Sequence, residues 1–190
     1  PLPTTHKAMA IHIGTSGWSY NHWQGILYPH STPTGKRLDY YIQRYQTVEV
    51  NNTYYRWPKD ETFATWRQRL PEGFLMTVKA PRGLTHITRL KSPERWLTRI
   101  NSGLLALEDK LGILLVQLPP QSSYDYERLA YFLEQTPTWI KLAVEFRHPS
   151  WHREEVFHLL EQRNAAYCVM SGANLPCILR ATASFVYVRL

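Results

Sequence analysis

The chain has 190 residues, which is enough for one domain with its own core and short for two. Hydrophobic residues make up 44% and charged residues 19%, a balance typical of a globular protein and not of a disordered chain. No apolar stretch approaches the roughly 20 residues of a membrane-spanning helix. Residues 1–9 lack the apolar segment of a signal peptide, so we expect a soluble, cytoplasmic protein.

The charge is positive and unevenly placed. The formal net charge is +7, and the segment from Glu61 to Arg99 holds most of the excess of basic residues. A basic face attracts phosphate-bearing partners, and a solvated surface without a specific partner is the alternative. Two cysteines, Cys168 and Cys177, indicate neither a disulfide framework nor a metal cluster, which fits a reducing compartment.

Seven short apolar segments recur along the chain. Most are continuous or β-branched runs, typical of strands buried on both faces of a parallel sheet. The predicted strands are Ile11–Gly14, Thr47–Asn51, Phe74–Lys79, Ile113–Leu118, Leu142–Phe146, Ala166–Met170 and Phe185–Arg189.

Helical patterns lie between these segments. Ser92 is predicted as an N-cap followed by Pro93 and Glu94, and Ser150 is predicted to open a later helix. The predicted helices centre on Leu38–Tyr45, Phe63–Leu70, Trp96–Leu111, Leu129–Leu133, Val156–Leu160 and, with Pro176 inside it, Gly172–Ala183. Alternating strands and helices predict a parallel sheet, and the pattern leaves an open doubly wound sheet and a closed (β/α)₈ barrel equally open.

Polar side chains gather where the predicted strands end, which is the edge that carries the chemistry in both architectures. Alternation along a strand puts Glu49 and Asn51 on one face, and likewise Glu145 and Arg147. One interpretation is a polar plug in which the carboxylates, Lys79 and Arg147 neutralise one another. The other is a polar cup that binds an anionic or hydroxylated ligand.

Aromatic and histidine residues fall in the same predicted loops. The aromatic set is Trp18, Tyr20, Trp23, Tyr54, Tyr55, Trp57 and Trp151. Its members either pack over the mouth of the sheet or stack on bases or sugar rings. His86 and His148 follow strands, but Pro149 argues against a helix that presents His148 and His152 together, so no metal site is predicted.

Several of these segments resemble one known family, the YecE-like proteins, a domain of unknown function. The matching stretches are Ile13–Trp18, Val48–Tyr55, Val78–Arg82 with Thr85-His86, Lys110–Gly112, Gln117–Pro120, Val144–His148 with Ser150-Trp151, and Tyr187–Leu190. The resemblance implies a TIM-type (β/α) barrel and a cytoplasmic location, and it supplies no activity. The family pattern continues beyond Leu190, so it implies a single barrel domain over residues 1–190 without its last βα unit.

The residues and the resemblance together predict a site at the carboxyl ends of the strands that binds a phosphate- or sugar-phosphate-type anion. Whether the barrel is an enzyme or a binding protein is left open, and hydrolysis is the expected reaction class if it is an enzyme. Glu49, Glu145 and Lys79 are the predicted catalytic residues. The predicted ligand-binding residues are Trp18, Tyr20, Asn51, Tyr54, Arg82, His86, Gln117, Arg147, His148, Trp151 and Arg189. The alternative is a nucleic-acid-binding barrel without catalysis. No cofactor and no membrane partner are predicted, and the pattern does not address oligomeric state.

Overall fold

Seven parallel strands follow one another in space in the same order as along the chain. The structure is a computed structural model that describes residues 10–172 and 176–190. The strands are β1 (Gly14–Ser16), β2 (Thr47–Val50), β3 (Leu75–Lys79), β4 (Leu111–Leu118), β5 (Leu142–Phe146), β6 (Ala166–Met170) and β7 (Tyr187–Arg189). A doubly wound sheet reverses its strand order at a switch point, so the sequential order selects the barrel-type arrangement.

Helices connect the strands. Within the described residues they are α1 (Arg37–Tyr41), α2 (Asn52–Tyr55), α3 (Asp60–Arg69), α4 (Glu94–Leu105), α5 (Tyr126–Gln135) and α6 (Glu154–Gln162). In α4, Leu97, Ile100 and Leu104 are buried at helical spacing, because this stripe packs into the core while the polar side faces water. None of the helices in residues 10–172 and 176–190 has the length and apolar character to cross a membrane.

Apolar side chains form two cores on opposite faces of the sheet. The large one includes Met76, Val116 and Ile100 and joins the sheet to the helices. The small one contains Leu115 and Cys168 and lies inside the curl. The curl brings distant strands face to face, since a side chain of β7 hydrogen-bonds one of β2. The prediction of a TIM-type α/β fold is confirmed: the seven strands form a curled half-barrel.

Most strands lie where the apolar pattern places them. The predicted bounds of β5 and β6 are confirmed, and β3, β4 and β7 differ by one or two residues. The prediction of a first strand over Ile11–Gly14 is wrong, because Ile11 and Ile13 are 73% and 72% exposed and the polar segment that follows pairs with β2 instead.

The N-cap signals at Ser92 and Ser150 predicted the helix starts less accurately than the apolar periodicity predicted the strands. Ser92 has a φ of 43° and caps nothing with its side chain, so α4 begins at Glu94 directly after Pro93. Ser150 lies in a single turn over Pro149–Trp151, and α6 begins later, at Glu154. The predicted helix over Gly172–Ala183 falls partly outside the described residues, and its described part, residues 176–183, is irregular.

Candidate functional site

One guanidinium group holds the two buried carboxylates of the half-barrel together. Arg189, on β7, donates from Nε to Oε2 of Glu49 over 2.9 Å and from a terminal nitrogen to Oε1 over 3.0 Å. Its other terminal nitrogen donates to Oε2 of Glu145 over 2.6 Å. A planar guanidinium with donors in a fixed fork suits this double contact. The arrangement ties β7 to both β2 and β5.

Glu145 is fully buried and has two further donors. Nε2 of Gln117 donates to its Oε1 over 2.6 Å, and Nε of Arg147 donates to the same oxygen over 2.7 Å. Gln117 is the register partner of Glu145 on the neighbouring strand, so both side chains point to the inner face. Arg147 follows Glu145 by two residues and shares that face. We call Glu49, Glu145, Arg147 and Arg189 the ion cluster.

Glu49 is held from three sides. Besides Arg189, the hydroxyl of Tyr187 donates to its Oε2 over 2.8 Å and the hydroxyl of Ser16 donates to its Oε1 over 3.1 Å. The side-chain amide of Asn51 in turn donates to Ser16. The Oδ1 atom of Asn51 is buried and has no hydrogen-bond partner in the described part of the chain. A buried acceptor without a donor at the end of β2 is a feature that a ligand hydroxyl satisfies.

The ion cluster is electrically balanced. Burial alone would raise the pKa of Glu145, but Arg189, Arg147 and Gln117 outweigh it and hold that pKa below its ordinary value. Burial would lower the pKa of Arg189, and the two carboxylates raise it instead. Both groups therefore stay charged across the physiological range. Two carboxylates and two guanidinium groups cancel, as in the polar-plug interpretation, but Arg189 takes the place that this interpretation gave to Lys79.

Lys79 lies beside the ion cluster and outside its pairing. It ends β3, is half-buried, and its Nζ has no hydrogen-bond or ion-pair partner among residues 10–172 and 176–190. Its Nζ lies 5.0 Å from the centroid of the Tyr54 ring. Burial lowers the pKa of Lys79, and the charges of Arg189 and Arg147 add to the lowering, while Glu49 and Glu145 oppose it.

A short helix positions the aromatic ring under Lys79. Thr53, in α2, is fully buried, and its hydroxyl is within hydrogen-bond distance of the carbonyls of Val50, at 3.0 Å, and Lys79, at 2.7 Å. This contact fastens α2 to the ends of β2 and β3, and Tyr54 follows directly. The sequence pattern did not predict α2, since four residues are too few to show helical periodicity.

A basic cleft opens next to Lys79. It has a volume of about 390 Å³ and is lined by Tyr54, Tyr55, Arg82, His86, Arg89, Pro119 and Gln121. Arg82 is exposed and makes no ion pair within the described residues, and Arg89 donates to the carbonyl of Gln121 over 3.3 Å. No carboxylate lines the cleft, so its lining is a surplus of positive charge.

A widened helical turn, Gly83–Ile87, sets the floor of the basic cleft. A Cβ at Gly83 would come within 2.0 Å of the Trp96 ring, so the close approach of this turn to α4 requires glycine. Turns of this type are frequent at functional sites. The turn presents Arg82 at its start and His86 near its end on the same side as Tyr54, whose ring packs edge-on against His86 at 5.0 Å.

His86 is surrounded by cations. Burial lowers its pKa, and Lys79, Arg82 and Arg147 lower it further, against an opposing contribution from Glu145. The imidazole is therefore mainly neutral at pH 7. Nδ1 of His86 and the Thr85 hydroxyl are 2.9 Å apart, which orients the ring.

The structure brings most of the predicted site residues to one end of the sheet and removes others from it. Trp151 is 1% exposed, stacks on Phe146 and donates its indole N–H to the carbonyl of Ser122, so its ring is core and cannot stack on a ligand. Trp18 packs edge-on against Trp66. His148 contacts Ser150 through Nδ1 and closes a local turn.

Three other predicted ligand-binding side chains are bonded within the protein. Gln117 and Arg189 donate hydrogen bonds to the buried carboxylates, so they position those groups instead of contacting a ligand. Tyr20 donates to the carbonyl of Ser16 and packs against Trp23. The residues that remain open to a ligand are Lys79, Tyr54, Arg82 and His86, with Asn51 near them.

Sequence reasoning missed three participants. Tyr187 lies two residues before Arg189, so strand alternation gives the signal that both face Glu49. Arg89 and Gln121 lie in loops without periodicity, and Arg89 has a φ of 49°. No local pattern indicates that these two loops meet, because their contact depends on the path of the whole chain.

No cluster of three or more His, Cys, Asp or Glu side chains suited to a metal ion occurs in the part of the chain that the structure describes. Both cysteines are free, Cys168 buried and Cys177 exposed. Burial raises the pKa of the Cys168 thiol, so it stays protonated in the small inner core.

Comparison with known proteins places this geometry in a family. The chain is 28% identical to the UPF0759 protein YecE of Escherichia coli over 144 residues, covering 74% of this chain and 50% of YecE. It is 26% identical to the UPF0759 protein YunF of Bacillus subtilis over 189 residues, covering 90% of this chain and 66% of YunF. The chain thus spans only about half to two thirds of these curated relatives.

Solved structures agree with the fold. A DUF72 family protein from Thermotoga maritima superposes with a TM-score of 0.82 at 30% identity, covering 93% of this chain and 72% of that one. A second from Enterococcus faecalis superposes with a TM-score of 0.73 at 20% identity, covering 92% of this chain and 67% of that one, and supports the fold alone. The sequence profile of the family described as "Protein of unknown function DUF72" matches residues 12–190. The chain therefore belongs to the DUF72 family, the family of the YecE-like proteins.

Proposed function

We propose that the chain binds a small phosphate-bearing ligand, of the sugar-phosphate type, at the carboxyl ends of its strands. One observation carries the proposal: the ion cluster is balanced, and Lys79, Arg82 and Arg89 remain beside it as cations without carboxylate partners in the described chain. Exposed surplus cations in a cleft of about 390 Å³ favour a phosphate, which accepts charge-assisted hydrogen bonds from arginine.

The lowered pKa values of Lys79 and His86 support the same proposal. Each is lowered partly by neighbouring cations, which means that positive potential accumulates between these side chains. A bound dianion would relieve that repulsion, and the repulsion therefore strengthens its binding. Asn51 supports the sugar part, because its buried Oδ1 needs a donor and a sugar hydroxyl supplies one.

The arrangement weighs against hydrolysis by a pair of carboxylates. A hydrolase of that kind needs one carboxylic acid that can give up a proton and one free carboxylate, at a separation of about 5–10 Å across the scissile bond. Here a single guanidinium bridges Glu49 and Glu145, and the pKa of Glu145 is lowered. The side chains free for proton transfer are Lys79 and His86.

Nucleic-acid binding has less support. Trp18 and Trp151 are engaged in packing, and Arg95 and Arg99 lie exposed on α4, away from the cleft lining. The exposed ring of Tyr55, 81% accessible beside Arg82 and Arg89, is the feature that would serve a base. An oligonucleotide arm in the experiment decides between the two ligands.

The test is calorimetric titration of the chain with glucose 6-phosphate, glucose and a single-stranded oligonucleotide. We expect glucose 6-phosphate to bind, glucose to bind at least about tenfold more weakly, and R82A to weaken glucose 6-phosphate binding by about tenfold or more through loss of a charge-assisted hydrogen bond. The matched control is R99A, which removes an exposed arginine from α4 and leaves binding unchanged.

Three outcomes would contradict the proposal. Equal affinity for glucose and glucose 6-phosphate would show that the phosphate group is not recognised. Equal weakening by R82A and R99A reduces the effect to overall charge. Tight oligonucleotide binding that falls steeply with salt, in a protein that ignores glucose 6-phosphate, supports the nucleic-acid interpretation instead.

The remaining proposals concern context. Cysteines left as free thiols suit a reducing compartment, so we propose a cytoplasmic location. We also propose that residues 1–190 belong to one barrel domain and that the intact domain includes a further βα unit. Limited proteolysis tests the first part, since a single domain resists cleavage between β1 and β7 while two domains are cut between them.

A further inference from the structure

Among the described residues, Lys79 and Lys110 are the lysines that are not exposed, and Lys79 is the one of these two without an anionic partner. Lys110 pairs with Asp109 at 2.8 Å and Lys36 approaches Asp39 at 3.9 Å. Lys79 instead ends at the Tyr54 ring, at the base of the mouth and next to the basic cleft. The two carboxylates that face it are already bonded to Arg189. Its lone pair is therefore not tied up by a neighbour.

A lysine in this position is poorly explained as a structural cation. Arg189 and Arg147 already neutralise both buried carboxylates, so a third positive charge among them is repelled and is also partly desolvated. A leucine or methionine would fill the same space without that cost. An amine kept next to other cations is, in contrast, a known way to make lysine a nucleophile at neutral pH.

We propose that Lys79 forms a Schiff base with the carbonyl carbon of a phosphorylated aldehyde or ketone whose phosphate lies in the basic cleft. This inference rests on the proposed function, because the phosphate site supplies the orientation. Arg82 and Arg89 hold the phosphate, and the Tyr54 ring, which lines the cleft and lies 5.0 Å from Nζ, connects that site to the amine. The substrate class is thereby a short sugar phosphate in its open-chain carbonyl form.

The chemistry needs no oxidant and no cofactor. The Nζ lone pair attacks the carbonyl carbon, a C–N bond forms, and the carbonyl electron pair moves to oxygen. Proton transfer from nitrogen to that oxygen gives a neutral carbinolamine. A second proton then converts the hydroxyl to water, which leaves as the C–O bond breaks, and the nitrogen becomes an iminium ion. His86, whose ring contacts Tyr54 and is mainly neutral, first accepts the proton that the Lys79 ammonium loses, and the resulting imidazolium then supplies the second proton to the hydroxyl.

The experiment traps the imine by reduction. The chain is incubated with glyceraldehyde 3-phosphate and sodium cyanoborohydride, which delivers hydride to the iminium carbon and leaves a stable secondary amine. Peptide mass mapping then locates the added mass. We expect Lys79 to be labelled at least about tenfold faster than the exposed lysines Lys59 and Lys91, and K79R to lose the fast label while keeping its circular dichroism spectrum.

Two further arms tie the reactivity to the cleft. Labelling by glyceraldehyde without phosphate should be about tenfold slower at Lys79 and unchanged at the exposed lysines. R82A should slow labelling by the phosphorylated aldehyde more than it slows labelling by plain glyceraldehyde. The rate at Lys79 should also reach its half-maximum below pH 10.5, because burial and the neighbouring arginines lower the pKa of Lys79 from that ordinary value.

The inference is overturned if label spreads evenly over exposed lysines, or if K79R is labelled as fast as the parent chain. Its failure is separable from failure of the proposed function. If glucose 6-phosphate binds and R82A weakens it, while Lys79 takes no label, the anion site stands and the nucleophile does not. If Lys79 is labelled rapidly but equally by both aldehydes, the amine is reactive and the phosphate site is not supported.

Discussion

The ion cluster and the basic cleft use the same kinds of side chain in opposite states. In the ion cluster, Arg147 and Arg189 each contact a buried carboxylate, and every charge has a partner. In the basic cleft, Arg82 and His86 face no carboxylate among the lining residues. Paired charges in the first region hold three strands together. Unpaired charges in the second are available to a ligand, at the expense of mutual repulsion that the fold must tolerate.

Lys79 sits at the boundary between the two regions. It faces the ion cluster, yet its contact is with Tyr54 of the basic cleft. The comparison therefore makes a simple forecast. Substitutions in the ion cluster should change the free energy of unfolding, substitutions in the basic cleft should change binding, and substitutions at Lys79 should separate the two effects.

The largest effect is expected for R189A. It leaves Glu49 and Glu145 buried without their shared cation, and breaking a buried pair in this way costs about 3–5 kcal/mol of the free energy of unfolding. Urea denaturation measures it. The matched control, R69A, removes a partly exposed arginine bonded to Asp39 at 2.7 Å and should cost about 1 kcal/mol or less. Equal losses in the two variants would contradict a special role for the ion cluster.

E145Q comes next, with a loss of about 2 kcal/mol at pH 7, because charge-assisted hydrogen bonds from two arginines become weaker. The folded-state pKa of Glu145 lies below its ordinary 4.5, so its contribution is complete above that pH and is lost as the pH falls below it. As the pH falls below about 4.5, the free energy of unfolding of the parent chain should therefore decrease more steeply than that of E145Q. Parallel pH profiles would show that Glu145 is not held ionised by its neighbours.

At neutral pH, K79M should slightly increase the free energy of unfolding, whereas R189A and E145Q decrease it. The folded-state pKa of Lys79 lies below its ordinary 10.5, so the unfolded chain binds the proton more tightly and stability rises as the pH increases towards that value. The facing charges are Arg189, Arg147, Glu49 and Glu145, and they are unchanged in the variant. Denaturation from pH 7 to 9.5 should show the parent chain gaining stability relative to K79M. A difference in the free energy of unfolding that stays constant over this pH range would contradict the prediction.

R82A should be nearly neutral for stability, within about 0.5 kcal/mol, since Arg82 is exposed and unpaired in the described structure. Thermal unfolding with and without glucose 6-phosphate provides the check. The parent chain should gain melting temperature from the ligand and R82A should gain less. A large loss of stability without ligand would place Arg82 among the side chains that hold the fold.

The parallel half-barrel was predictable because strands buried on both faces appear in the sequence as continuous apolar runs. The run Ile113–Leu118 is continuous in sequence and is buried on both faces in β4. The first strand was misplaced for the same reason, since the strand pattern followed two exposed isoleucines and passed over the polar segment Gly14–Ser16. Strand segments next to a site are polar, so a search for apolar runs does not detect them.

The candidate site was predictable in its members and not in its pairing. Alternation along the strands predicted that Glu49 shares a face with Asn51 and that Glu145 shares a face with Arg147. Whether each carboxylate would be bonded or free depended on which strand Arg189 faces across the curl, and that is set by the closure of the whole sheet. The sequence likewise could not show that Trp151 turns into the core, because burial there follows from packing against Phe146.

The bridge made by Arg189 also bears on how the chain folds. It joins side chains 140 and 44 residues apart, contacts that can form only after most of the sheet is in place. Long-range contacts of this kind slow folding, because a large loop must close before they contribute. Until β7 docks, the half-made sheet exposes two carboxylates that repel each other. The docking of β7 therefore turns a repulsive pair of carboxylates into a bonded one, and the ion cluster exists only in chains in which β7 has docked.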